Sequence, residues 1–100
     1  MNIYNDIFRR IKKAAASEPK SIDQEFLKLM EEVGESSQAY LSSEKASGAN
    51  YKHLTVYNTK EELVDVLLVT LALLQKLGTT DDELNEFLLK KVSKWVDKQI

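Results

Sequence analysis

The chain has 100 residues, 43% of them hydrophobic, with 14 basic and 16 acidic side chains and a formal charge of −2. That length supports one domain, residues 1–100, with a modest core, and the near-balance of charge leaves no footprint for a nucleic acid polymer or an anionic membrane. The absence of cysteine excludes disulfides, thiolate zinc sites and thiol catalysis, and fits a reducing compartment.

The opening Met1-Asn2-Ile3-Tyr4 is not a basic region followed by an apolar run, so no signal peptide is expected. The longest apolar run, Val66 to Leu74, is interrupted by Thr70 and is too short to span a bilayer. A soluble, cytoplasmic protein is the expectation.

Tyr4, Ile7, Phe8, Ile11, Ala14 and Ala15 recur at helical spacing and predict an amphipathic helix over about residues 3–16, which Pro19 ends. Ser21 with Gln24 three residues on reads as a capping box for a second helix, from about Ile22 to Leu41. Phe26, Leu29, Met30, Val33, Ser37 and Tyr40 form its apolar-to-small stripe. Gly34 costs that helix about 1 kcal/mol against alanine. It is easiest to explain by a backbone or ligand approaching closely.

Residues 42–58 read as a long connection, small and polar but carrying Tyr51, His53, Leu54, Val56 and Tyr57. Connections of this length are uncommon unless they bind or cover something, although plugging the end of a bundle is the simpler role. Leu54 to Tyr57 can form a short extended piece. Thr59 or Asn58 is expected to cap a third helix that runs to Leu77, with Gly78 as its terminator. Leu63, Val64 and Val66 to Leu74 leave that helix almost without a polar side, which predicts a central position and partial burial of Asp65. Thr80, followed by Asp81, Asp82 and Glu83, opens a fourth helix to about Lys98 through a capping box, with Leu84, Phe87, Leu88, Val92, Trp95 and Val96 on its apolar face. The prediction is an all-α four-helix bundle, with apolar faces broad enough to require a homodimer or homotetramer.

Two acidic clusters carry the chemistry. Glu32 and Glu35, and likewise Glu62 and Asp65, are three residues apart and share a side of their helices. Such pairs repel unless something neutralises them, and oxygen ligands suit a hard divalent cation, Mg²⁺ with Mn²⁺ as a substitute. The glutamate and histidine pattern of a di-iron bundle, the calcium-binding helix–loop–helix pattern and a glycine-rich phosphate loop are all absent.

Glu31-Glu32-Val33-Gly34-Glu35 and Glu62-Leu63-Val64-Asp65 together resemble the Glu-Glu-x-x-Glu and Glu-x-x-Asp motifs of the all-α nucleoside triphosphate pyrophosphohydrolases, the MazG-like group. Glu61 supplies the common Glu-Glu-x-x-Asp form, and the resemblance spans about residues 20–98. It implies Glu32, Glu35, Glu62 and Asp65 as metal ligands and Glu31 as a further ligand or a supporting group. It implies hydrolysis of a nucleoside or deoxynucleoside triphosphate to the monophosphate and pyrophosphate, on damaged or surplus nucleotides, with Glu32 or Glu35 handling the attacking water. Lys91 and Lys94 stand near the end of the last helix, where the family places a lysine. Asp97 follows where the family commonly has an amide, and Lys45 or Lys52 can serve instead. Tyr51 and His53 are candidates for substrate contact, against a simple anchoring role in the loop. The alternative is a non-catalytic helical interaction or regulatory module with the same fold.

Overall fold

Four helices form in chain order: α1 (Ile3–Ser17), α2 (Ile22–Ser43), α3 (Val56–Lys76) and α4 (Asp81–Lys98). The computed structural model describes residues 3–45 and 54–99. The architecture is all-α, a four-helix-bundle fold.

Local chemistry fixes the helix starts. The Ser21 hydroxyl accepts the Gln24 amide at 3.1 Å while the Ser21 amide donates to Gln24 Oε1 at 2.8 Å, which is the expected capping box. α2 runs past Leu41 to Ser43, and Lys45 beyond it takes φ 57, the left-handed geometry that closes many helices. α3 begins at Val56, ahead of the expected Asn58 or Thr59. Asn58 Oδ1 accepts from the Thr55 amide at 2.9 Å and from the Thr55 hydroxyl at 3.0 Å, so Thr55 is the N-cap. Val56 and Tyr57 are therefore helical rather than extended, and the connection shortens to residues 44–55. Gly78 at φ 81 follows α3 as its expected terminator, and the Thr80 hydroxyl accepts the Glu83 amide at 3.1 Å to open α4.

α2 and α3 pack side by side as an antiparallel hairpin. Glu32 lies beside Glu62 and Asp65 near its middle, and the Ser42 hydroxyl accepts the Leu54 amide at 2.8 Å at the connected end. α1 packs on α3, making α3 the shared element. Lys76, in the last turn of α3, donates to the Glu18 and Lys20 carbonyls at 3.0 and 2.9 Å and so ties down the short link between α1 and α2.

The faces in use are not those predicted. α2 meets α3 through Glu25, Glu32, Ser36, Ala39 and Ser42, a small and polar row, while Phe26, Met30, Val33 and Tyr40 remain exposed. In α3 only Leu73 is fully buried among the described residues, and Leu63, Val64, Leu67 and Leu68 are exposed. α4 buries none of its residues, and its backbone approaches no other helix closely. Its first turn is held to α1 by the Lys12–Asp81 ion pair at 3.0 Å, across a groove of about 550 Å³. Among the described residues no helix is long and apolar enough to cross a membrane.

Candidate metal centre

The hairpin brings the two acidic motifs together. One carboxylate oxygen each from Glu31, Glu32 and Glu35 lie within 4.8 Å of one another, and so do one each from Glu32, Glu62 and Asp65. Glu32 belongs to both groups. Either group would have to close in to hold one octahedral ion, whose neighbouring oxygens stand roughly 3 Å apart. Glu32 could serve one ion or bridge two.

Burial within the cluster is uneven. Glu32 is only 6% exposed, because it lies on the α2 row that faces α3. Glu62 is half-buried, while Glu31, Glu35 and Asp65 are exposed. Burial was expected at Asp65, from its place at the start of the apolar run. It falls instead on Glu32, because α3 turns Glu62 inward and leaves Asp65 on the flank.

The electrostatics show an unsatisfied site. Glu32 Oε2 and Glu62 Oε2 are buried and have no hydrogen-bond partner among the described residues, a costly condition for a carboxylate oxygen. The Glu32 charge above all, then desolvation, then the charges of Glu62 and Glu31 push the Glu35 carboxyl above its ordinary value. Among the described residues, one cation answers. Lys28 Nζ lies 3.0 Å from Glu32 Oε1 and 3.4 Å from Glu31 Oε1. Hydrogen bonds to Glu32 and then to Glu31 hold the Lys28 ammonium above its usual range. Sequence reasoning did not single out Lys28, although its spacing of three and four residues from Glu31 and Glu32 is the signal that finds it. The donor set is all oxygen, and two of its oxygens are buried without a partner among the described residues; these residues fit a hard divalent cation.

The remaining candidate side chains are more scattered. Lys45 follows the end of α2, about 15 Å along the axis from Glu35. Lys91 and Lys94 stand exposed on α4, away from the hairpin. Tyr51, Lys52 and His53 lie outside the described residues. A Cβ at Gly34 would meet nothing within 4 Å among the described residues, so none of those explains the glycine.

In comparisons with known proteins, the chain matches no family model, no curated protein and no solved structure.

Proposed function

We propose that this chain is a Mg²⁺-dependent hydrolase of the MazG-like kind, splitting a nucleoside or deoxynucleoside triphosphate into the monophosphate and pyrophosphate. The observation that carries the reading is the convergence of five carboxylates from two helices on the buried, half-unpartnered Glu32. Five acidic side chains in one place are a poor way to stabilise a hairpin, and they make sense as a holder for positive charge and phosphate.

Glu32, Glu62 and Asp65, with Glu31 and Glu35, would hold the ion. A bound Mg²⁺ supplies charge for the phosphate oxygens and makes a water more acidic. Glu35 is exposed at the edge of the cluster, in reach of solvent, which is the place for a group that takes a proton from water. The water oxygen bonds to the α phosphorus, the bond to the bridging oxygen breaks, pyrophosphate leaves, and the proton rests on Glu35. Glu32, locked between the helices, orients the neighbouring carboxylates and is the second candidate for that role. Lys45, Lys52, Lys91 and Lys94 are the candidates to steady the leaving group, and Tyr51 and His53 to contact the substrate.

The test is a panel of standard, oxidised and methylated (d)NTPs with Mg²⁺, read by nucleotide chromatography and a separate pyrophosphate assay. Monophosphate with pyrophosphate is expected for at least one substrate, and Glu35→Gln should keep its helical circular dichroism while losing most of the rate. Orthophosphate with a diphosphate would refute the proposed scissile bond. Inactivity across the panel, with Mn²⁺ demonstrably bound, would favour the non-catalytic helical module.

A further inference from the structure

A cavity of about 700 Å³ opens among α1, α2 and α3, within the size range of small-molecule sites. Its walls are small and apolar, with Ala14 and Ala15 from α1 and Leu68 and Ala72 from α3. Glu25, only 2% exposed, lines it from α2, and Glu25 Oε1 meets no donor among the described residues. The nearby lysines are engaged elsewhere. Lys20 pairs with Glu18 at 3.2 Å, Lys28 pairs with Glu31 and Glu32, and Lys76 donates to the Glu18 and Lys20 carbonyls. A buried carboxyl oxygen in that state is a strong acceptor that lacks a donor.

The cavity continues the seam that carries the acidic cluster. On α2, Glu25, Lys28 and Glu32 follow one another at helical spacing, and on α3 so do Asp65, Leu68 and Ala72. Because the two helices run antiparallel, these stripes meet in register. Glu32 lies beside Asp65, and Glu25 shares the cavity with Leu68 and Ala72. Lys28 belongs to both places, lining the cavity while its Nζ rests 3.0 Å from Glu32 Oε1. Glu25 and Glu32 are two turns apart, about 10 Å along the axis, a gap that one sugar bridges between a base and its α phosphate.

We propose that this cavity takes the base of the nucleotide whose phosphates the acidic cluster would hold, and that Glu25 selects bases bearing an exocyclic amine. The inference rests on the hydrolase reading of that cluster and adds the substrate class to it. Cytosine, adenine and guanine each offer an exocyclic N–H to the unpartnered oxygen. Uracil and thymine offer only a ring N–H set between two carbonyls, whose oxygens would come up against the carboxyl. A proton on Glu25 does not change this, because it lies toward Glu18. A metal ion is a poor occupant, since Arg10, Lys20 and Lys28 line the cavity against two carboxyls, Glu18 and Glu25.

Deoxynucleosides alone, with neither phosphate nor metal, test this apart from the hydrolase reading. Titrated at millimolar concentration and followed by protein NMR, deoxycytidine, deoxyadenosine and deoxyguanosine should shift the amides of Ala14, Glu25 and Ala72. Deoxyuridine and thymidine should bind at least about tenfold more weakly. Glu25→Met removes the acceptor at similar volume and should erase the difference, whereas Glu25→Gln keeps a carbonyl acceptor and should preserve the order. Ala14→Phe, at an exposed position on the wall, fills the cavity and should block every deoxynucleoside alike. Selective, Glu25-dependent binding by a protein inactive on every triphosphate would uphold the base site and count against the hydrolase. Hydrolysis indifferent to the base, or a preference unmoved by Glu25→Met, overturns the inference and leaves the hydrolase standing. No shift with any deoxynucleoside, or binding undisturbed by Ala14→Phe, overturns it too.

Discussion

Lys28 holds Glu32 from one helical turn away, its ammonium nitrogen 3.0 Å from Glu32 Oε1, in the position an incoming cation would contest. The lysine offsets part of the repulsion among Glu31, Glu32 and Glu35 when no ion is bound. It also places a positive charge beside any metal that arrives. Lys28→Gln should therefore tighten Mn²⁺ binding severalfold in a calorimetric titration and lower the melting temperature of the metal-free protein. Unchanged or weaker Mn²⁺ binding would show that Lys28 supports the ligands and does not compete for them.

The second prediction concerns the ion itself. Mg²⁺ or Mn²⁺ should raise the melting temperature, because binding to the folded cluster relieves its repulsion and has no counterpart in the unfolded chain. The rise should grow from mildly acidic to neutral pH, since Glu35 sheds its proton at a higher pH than an ordinary glutamate and must be charged to bind. Asp65→Asn removes one ligand at an exposed position, so it should weaken Mn²⁺ binding clearly while leaving the fold intact. Equal titrations of parent and Asp65→Asn would end the assignment of Asp65.

The helices and the two acidic motifs were legible because they rest on short-range rules: capping at Ser21 and Thr80, termination at Gly78, and three-residue spacing of carboxylates. What was not legible depends on which face meets which. The apolar stripe of α2 is its most visible pattern, yet the helix meets α3 through Glu25, Glu32 and Ser36, whose contacts bring the carboxylates together. Periodicity locates an apolar face without saying whether its own chain or another covers it. The same limit explains why burial was expected at Asp65 and occurs at Glu32: the side a residue takes depends on the rotation of α3 against α2, which local sequence does not encode.

Gly34 provides a third prediction. It sits inside α2, and a Cβ there would meet nothing within 4 Å among the described residues. Gly34→Ala should therefore stabilise the protein by about 1 kcal/mol through helix propensity alone, seen as a higher urea midpoint with an unchanged slope. A loss of stability would reveal a close approach to this position from beyond the described residues.

The last prediction rests on Glu25, which is 2% exposed and whose Oε1 meets no donor among the described residues. Burial first, then a hydrogen bond with Glu18, then the Glu18 charge push its carboxyl above the ordinary value of 4.5, with Lys20 and Lys76 opposing. That hydrogen bond exists only while a proton lies between the two carboxyl groups, and it holds Glu18 below its ordinary value. Between the ordinary glutamate value and the raised value of Glu25, the folded chain binds a proton there that the unfolded chain has lost. Stability from this group is thus full at acidic pH and falls as pH rises through its folded pKa. Glu25→Gln keeps an N–H donor for Glu18 and carries no charge. It should match the parent within error at about pH 4 and exceed it by about 1 kcal/mol at about pH 8, where the parent must bury a carboxylate. Urea denaturation of both proteins at the two pH values decides it. An equal loss of stability at both would mean that the Glu25 carboxyl is required by shape, and that its proton contributes nothing.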